Sequence, residues 1–209
     1  KPLVTVVAAG SALNVPQGNA EIMAWYPGQA GGTALAEILF GEVNPSGRLP
    51  VTFYHDLSEL PEFTDYSMKN RTYRYFEGKP LYPFGYGLSY TTFTVSEVSL
   101  DKDSMKDGES IRAAVTVKNT GTCAGTETIQ LYLHDIAASV VRPVKELKDF
   151  RKVTLQPEEE ARVEFTITEP QLRFLSENNI FESEAGIFEI FIGTDSTTTN
   201  KAKFTLEKQ

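Results

Sequence analysis

The chain has 209 residues, a length that suits one large domain or two small ones. Its 41% of hydrophobic and 23% of charged residues are typical of a soluble globular protein. The net charge of -8 argues against nucleic acid or a membrane surface as a partner, because both attract a basic face. No apolar run approaches the roughly 20 residues of a membrane-spanning helix.

The first elements have the pattern of an α/β domain. Residues 3–10 (LVTVVAAG) form a valine-rich apolar run that ends at a glycine, which is typical of a strand buried on both faces of a parallel sheet. Residues 19–25 and 32–40 are predicted helices. In the second helix, Thr33 is the expected N-terminal cap and Gly41 the expected end. Residues 48–53 (RLPVTF) are then predicted to form a short strand, followed by a polar loop.

This set of elements is too small to close a domain. Parallel sheets covered on both faces have several strands joined by crossover helices. Residues 1–60 are therefore predicted to be the C-terminal part of an α/β sandwich domain. We expect the strand at 3–10 to lie beside a partner segment from outside the chain or to expose apolar surface. The chain starts at Lys1 without an initiator methionine or a visible signal sequence, which fits a processed or truncated piece.

The stretch from 77 to 93 (EGKPLYPFGYGLSYTTF) is dense in aromatic rings, prolines and glycines. Proline removes a backbone donor and fixes φ, whereas glycine permits tight bends, so this stretch is not an ordinary helix. We predict an ordered, aromatic-rich junction over residues 61–93 that lies against other parts of the protein.

From residue 93 onward the hydrophobic pattern has a period of two, which indicates β-strands separated by turns. The predicted strands are 92–100, 110–121, 127–135, 161–168, 186–193 and 202–208. Residues 143–150 (PVKELKDF) are interpreted as a short edge strand or a loop, and residues 170–175 (PQLRFL) as a single helical turn. Residues 94–209 are thus predicted to form a fibronectin type III-like (immunoglobulin-like) β-sandwich of about seven strands.

The alternation of side chains also predicts which residues fill the sandwich. Ile111 and Ala113 are expected on the same face of their strand as two of the core valines. The predicted core contains Val115, Val117, Leu131, Leu133, Val163, Phe165, Phe188, Ile190 and Ile192. The sandwich lacks the Cys–Trp–Cys pattern of antibody domains, so that subclass is disfavoured.

Cysteine and histidine are scarce in this chain. Cys123 is the only cysteine, so no internal disulfide is possible, and it is interpreted as a small filler residue on a turn. His55 and His134 have no cysteine or histidine at metal-site spacing. No metal site is therefore expected.

Three segments, taken together and in this order, resemble the C-terminal part of family 3 glycoside hydrolases. They are 24–53 (AWYPGQAGGTALAEILFGEVNPSGRLPVTF), 71–76 (RTYRYF) and the aromatic stretch 77–93. The resemblance is strong over residues 1–93 and rests on strand pattern beyond them. It implies a whole protein that is an exo-acting, retaining β-glucosidase or β-xylosidase without a metal or organic cofactor. The stretch 60–76 is more similar to bacterial β-xylosidases or members of mixed specificity.

Retaining glycoside hydrolysis requires two carboxylates that flank the scissile bond. Four acidic residues, Asp56, Glu59, Glu62 and Asp65, share one loop, where solvated side chains are expected. The resemblance implies that the nucleophilic aspartate lies in an N-terminal barrel and that the acid/base glutamate of many members precedes the segment matching residues 1–10. Neither motif is present here. No residue of this chain is therefore assigned as catalytic, metal-binding or substrate-binding, and the acidic loop is given at most an accessory role.

The run 71–76 has two interpretations. Arg71, Tyr73, Arg74 and Tyr75 could contact sugar through stacking and hydrogen bonds, or could pack between domains with an arginine paired to a carboxylate. Packing is favoured, because the resemblance places this run near a domain junction.

Two further motifs precede the predicted helix at 32–40. GQAGG (28–32) lacks the Gly-Lys-Ser/Thr ending of a phosphate loop and is interpreted as a tight turn. Trp25 is assigned to the core, although both it and Tyr26 could instead line a cleft.

The expected partners are the barrel and the rest of the α/β domain of the same enzyme, together with a β-linked oligosaccharide. The alternative is a non-catalytic β-sandwich module that binds carbohydrate or protein. An exposed aromatic platform favours the module, whereas a large exposed apolar patch within residues 3–53 favours part of an enzyme.

Overall fold

The computed structural model describes residues 1–15 and 18–208. Its N-terminal segment contains two parallel strands, β1 (Val4–Val7) and β2 (Ala20–Met23), paired from Val4↔Ala20 to Val7↔Met23. The predicted helix at 19–25 is therefore wrong. The Ala24 amide donates to the Val7 carbonyl at 2.8 Å, so the ladder to β1 satisfies this backbone, and so short a stretch gains too little from helix propensity to compete.

The second predicted helix is confirmed as α1 (Gly31–Leu39). Thr33 does not cap it, because the helix begins two residues earlier and its N-cap position is Ala30, which makes no side-chain cap. Gly41 ends the helix with φ of +79°, a left-handed conformation that glycine adopts without strain. Its amide donates to the Ile38 carbonyl at 3.0 Å.

The N-terminal segment exposes much of its apolar surface. Of the described residues up to position 51, no hydrophobic residue is buried. In and beside β1, Leu3 is 57% exposed, Val4 45% and Val6 41%. The strand is therefore not buried on both faces as its pattern predicted, and β2 supplies one neighbour from within the chain. The exposed valines agree with the expectation that it exposes apolar surface.

The rest of the chain forms a sandwich of two sheets. The larger sheet has the order β5-β13-β12-β7-β8, with neighbours antiparallel except for the parallel pair β13 and β5. Its strands are β5 (Ser104–Lys106), β7 (Gly125–Asp135), β8 (Glu146–Leu155), β12 (Gly186–Gly193) and β13 (Lys201–Glu207).

The smaller sheet is built around one long strand, β6 (Ser110–Asn119). It pairs along one edge with β9 (Glu160–Thr168) and along the other with β3 (Phe93–Val95) and β4 (Ser99–Leu100). All six predicted strand segments are found as strands, the first of them divided into β3 and β4. Residues 143–150 belong partly to β8, a ten-residue edge strand rather than a short one.

The core lies between the two sheets, as the alternation predicted. All nine predicted core residues are buried, and Ile111 and Ala113 are fully enclosed beside them. On the opposite face of β12, Glu189 is also buried, and its carboxylate accepts from the Lys201 ammonium at 2.7 Å.

The helical turn predicted at 170–175 is found one residue earlier and shorter, as α3 (Glu169–Leu172). The last two residues of the predicted turn instead form β10 (Phe174–Leu175), which pairs with β11 (Phe181–Glu182) in a small hairpin. Glu169 holds this region together. Its carboxylate accepts from Arg173 Nε at 2.9 and 3.0 Å, from the Ser183 hydroxyl, and from Lys208 Nζ at 3.4 Å.

Glu169→Gln is expected to lower the free energy of unfolding by about 1.5–3 kcal/mol at neutral pH, the usual range for hydrogen bonds to a charged group. The hydrogen bond from Arg173 holds the pKa of Glu169 at about 2, below its ordinary 4.5. A lowered folded-state pKa stabilises the fold above pH 4.5, and that contribution is lost as the pH falls from 4.5 towards 2. Urea unfolding over a pH series measures both effects.

The control is Glu164→Gln, which removes a carboxylate whose side chain is 42% exposed. It should change stability by less than about 0.5 kcal/mol. If the wild type and Glu169→Gln lose stability in parallel below pH 4.5, the charge of Glu169 does not stabilise the fold.

Candidate functional site

The candidate site is the junction, where residues 44–54 and 71–91 pack against β7 and the start of β8. Its central contact is a buried ion pair between Arg48 and Glu127. Arg48 Nε donates to Glu127 Oε1 at 3.1 Å, and Nη2 donates to the same oxygen. Both side chains are only 8% exposed. The pair therefore fixes the N-terminal segment to the sandwich in one position.

Asn44 joins three segments beside this pair. Its amide nitrogen donates to the Ala124 carbonyl at 2.9 Å. Its amide oxygen accepts from the Ser89 hydroxyl at 2.9 Å and from the Tyr90 amide at 2.8 Å. All the polar atoms of this side chain are thus used to hold loops together.

Gln130 and Tyr132 on β7 contact the turn at Gly85. Gln130 Nε2 donates to the Gly85 carbonyl at 3.2 Å, and Tyr132 donates its hydroxyl to Gln130 Oε1. Gly85 has φ of +84°, and a Cβ there would lie 2.2 Å from Gln130 Oε1, so only glycine fits. Burial raises the pKa of Tyr132, which keeps its hydroxyl protonated as a donor.

The aromatic rings of the junction pack on one another. Tyr73 stacks on Phe84 with ring centroids 4.2 Å apart and meets Tyr132 edge-on at 5.9 Å. The Tyr73 hydroxyl accepts from the Leu147 amide at 3.0 Å. The prediction of an ordered aromatic connection that lies against other protein is therefore confirmed at this point.

Residues 48–53 form less of a strand than predicted. They contribute a single antiparallel bridge, Phe53↔Tyr82. Phe53 is buried, and its ring lies edge-on to Tyr82 with centroids 6.0 Å apart. The bridge still brings the N-terminal segment and the aromatic stretch together.

The run 71–76 starts with one turn of helix, α2 (Thr72–Tyr75). The Arg71 guanidinium donates to the carbonyls of Glu62, Asp65 and Ser67 at 3.1, 2.6 and 3.2 Å. Arg74 lies 3.7 Å from the Glu146 carboxylate. Together with the stacking of Tyr73, these contacts match the packing interpretation of the run.

The acidic loop after residue 54 uses its carboxylates to build its own turns. Asp56 accepts from the Ser58 amide at 2.6 Å, Asp65 from the Ser67 amide at 2.8 Å, and Glu59 from the His55 amide at 2.6 Å. Hydrogen bonds from Ser58 and Ser67 hold the pKa values of Asp56 and Asp65 below their ordinary range. A general acid requires the opposite shift, so these two carboxylates do not have the raised pKa of a proton donor.

Of the remaining predicted residues, those of the N-terminal segment lie outside this junction, whereas Cys123 contacts it. Trp25 is half-buried rather than in the core, and Tyr26 is 80% exposed. Gly31 donates to the Gly28 carbonyl at 3.0 Å, which is the predicted tight turn. Cys123 Sγ lies 3.4 Å from the Tyr90 carbonyl.

Neither a metal site nor a membrane-spanning helix is found in the part of the chain that the structure describes. Over residues 1–15 and 18–208, no group of three His, Cys, Asp or Glu side chains is arranged to hold a metal ion. In the same ranges, no helix is long and apolar enough to cross a membrane.

Comparison with known proteins identifies the class to which this fold and junction belong. Residues 1–90 match the glycosyl hydrolase family 3 C-terminal domain, and residues 127–196 match the fibronectin type III-like domain. The chain therefore belongs to glycosyl hydrolase family 3 and corresponds to the C-terminal part of its members.

Individual relatives agree with this assignment. Over 99% of the chain, it is 41% identical both to a periplasmic beta-glucosidase of Salmonella typhimurium and to a xylan 1,4-beta-xylosidase of Xylanibacter ruminicola. It covers 29% and 24% of those proteins. A solved beta-glucosidase from Erythrobacter marinus is 37% identical with a TM-score of 0.84, over 98% of this chain and 28% of that one. The solved GH3 beta-glucosidase of Bifidobacterium adolescentis is 33% identical with a TM-score of 0.85, over 97% of this chain and 32% of that one.

Proposed function

We propose that the chain is the C-terminal part of an exo-acting, retaining β-glycosidase that releases terminal β-linked glucose or xylose from oligosaccharides. One observation carries the proposal: a segment with several exposed valines and leucines has no buried hydrophobic residue among those described up to position 51. Such a surface needs a cover. The rest of an α/β domain of the same enzyme supplies that cover, since parallel strands such as β1 and β2 occur in larger sheets with both faces covered.

In this proposal the chain supports the active site rather than containing it. The nucleophile and the proton donor belong to the barrel and to the earlier part of the α/β domain. Supporting this, the loop carboxylates Asp56 and Asp65 have lowered pKa values, whereas the acid of a retaining glycosidase has a raised one. The junction holds the sandwich rigidly against the segment that continues into the α/β domain.

We divide the chain into three parts accordingly. Residues 1–60 complete the α/β domain, 61–93 form the junction and 94–209 form the sandwich. The contacts of three side chains are consistent with this: Arg48 and Tyr73 each connect two of the three parts, and Asn44 connects all three. The glucose-specific and xylose-specific relatives are equally similar to the chain, so both sugars are proposed as substrates.

The non-catalytic binding module is the weaker candidate. The most exposed rings of the acidic loop, Phe63 at 91% and Tyr66 at 90%, lie on an irregular loop and not on a flat strand face. The groove lined by residues 192–200 has no aromatic side chain for sugar stacking, and its Asp195 and Asn200 already bond to the chain itself.

Residues 1–209 alone are expected to show no turnover of aryl β-glucosides or aryl β-xylosides, whereas the full-length product of the gene hydrolyses at least one of them. Without a positioned nucleophile and proton donor, the two-step displacement has no route. The measurement is release of the aryl group by both purified proteins at equal concentration.

The matched controls are Asp56→Asn and Asp65→Asn in the full-length protein, which should retain activity. Turnover by residues 1–209 that is abolished by changing Asp56, Glu59, Glu62 or Asp65 would place the active site on this chain and overturn the proposal.

A further inference from the structure

A small cavity lies where β7 ends, between the sandwich and the loop that leads to β8. Its volume is about 10 Å³, which is room for a single water-sized sphere. The walls come from β7, β12, α3 and the start of β8, and they combine apolar and charged side chains. They include Leu133, Asp135, Arg142, Glu146, Gln171 and Phe188.

Two residues of this wall each carry a buried side-chain atom that has no hydrogen-bond partner among residues 1–15 and 18–208. Asp135 is only 7% exposed, and its Oδ2 is buried and unpaired. Arg142 Nε is likewise buried and unpaired. Buried polar groups are almost always satisfied by protein or by ordered water, so two unsatisfied groups on one cavity point to an occupant.

The chemistry of the wall selects the occupant. The unpaired acceptor of Asp135 and the unpaired donor of Arg142 match a molecule that donates at one side and accepts at the other. Lys148 and Glu146 also line the cavity, so charges of both signs surround it. A metal ion is disfavoured by Arg142 and Lys148, and an anion by Asp135 and Glu146. The size leaves room for one water molecule only.

We propose that this cavity is a binding site for one structural water, which donates to Asp135 Oδ2 and accepts from Arg142 Nε. Gln171 and Lys148, in the same wall, offer it further polar contacts. Two to four polar partners are usual for a buried water.

The water completes a polar connection from the sandwich to the junction. Arg142 donates to Glu146 Oε2 at 3.4 Å, and Glu146 Oε1 lies 3.7 Å from Arg74 on α2. The Val144 amide donates to the Arg74 carbonyl at 2.8 Å. With the water in place, the end of β7 is linked through Arg142 to the helix that carries Tyr73.

A high-resolution crystal structure of the full-length protein tests the proposal. We expect a fully occupied solvent peak within hydrogen-bond distance of both Asp135 Oδ2 and Arg142 Nε. In Asp135→Asn, which keeps a hydrogen-bonding group in place, the peak should remain. In Asp135→Leu, which removes that group and extends into the cavity, it should be lost.

Three outcomes overturn the proposal, and the wild-type structure alone can give each of them. The first is a direct bond between Asp135 and Arg142 that closes the cavity. The second is a cavity without density. The third is a peak whose coordination number and distances identify it as an ion. Failure of Asp135→Leu to fold would not affect these criteria. The result is also independent of whether the protein hydrolyses glycosides.

Discussion

Arg48→Met is expected to lower the free energy of unfolding by about 3–5 kcal/mol, because it leaves the Glu127 carboxylate buried without its cation. Glu127 is 6% exposed, and Arg48 donates two hydrogen bonds to its Oε1. Methionine retains most of the aliphatic volume, so the loss reports on charge rather than on packing. Urea unfolding followed by far-ultraviolet circular dichroism gives the value.

The matched control is Arg162→Met, which breaks the ion pair with Glu164 at 3.7 Å, where the two side chains are 64% and 42% exposed. Exposed pairs of this kind contribute less than about 1 kcal/mol. The double variant Arg48→Met/Glu127→Leu should recover much of the loss, since it removes both charges. A loss below about 1 kcal/mol for Arg48→Met alone would mean that the Glu127 carboxylate is solvated in the folded protein.

Ile190→Ala is expected to cost about 2–5 kcal/mol, the range for removing a large aliphatic side chain from a packed core. Ile190 is fully buried in the centre of β12, where it lies opposite Leu133 on one side and Ala202 on the other. The same unfolding measurement applies.

Ile187→Ala is the control on the same strand, because that side chain is 48% exposed. Its cost should be clearly smaller, since less apolar surface returns to water. A cost below about 0.5 kcal/mol at Ile190 would place its side chain on the surface and shift the register of β12 by one residue.

The sandwich could be predicted because its strands are regular and half-buried. In β6, the inward positions Ile111, Ala113, Val115 and Val117 alternate with outward polar or small ones, and this period identifies both the strand and its buried face. β8 was underestimated for the opposite reason. It is an edge strand with many charged residues, and its apolar side chains do not alternate regularly: they stand at Leu147, Phe150, Val153 and Leu155.

The N-terminal elements were harder to predict because their environment lies partly outside the chain. Ala20–Met23 contains good helix formers, yet it forms β2 because β1 offers it a hydrogen-bonding partner. Trp25 was assigned to the core because large aromatic residues are usually covered, and its cover is not among the described residues.

At the candidate site, sequence indicated the aromatic packing but not the polar contacts. The density of rings, prolines and glycines predicts that this segment is packed, but it does not predict which residues it packs against. Arg48, Asn44 and Gln130 were missed, because nothing near each residue identifies its partner. The position of Arg48 after a turn, in a chain of net negative charge, indicates that it has an acidic partner. It does not indicate that the partner is Glu127.

The hydrogen bonds across the junction join residues that are far apart in the chain, and this spacing affects how the junction forms during synthesis. Arg48 and Glu127 are separated by 79 positions, and Asn44 and Ala124 by 80. At a synthesis rate of about 5–20 residues per second, the first member of each pair is made roughly 4–16 s before its partner. During that interval the nascent chain presents the buried face of the junction to chaperones and proteases. Variants that weaken the sandwich should therefore reduce the amount of protein that accumulates in the cell.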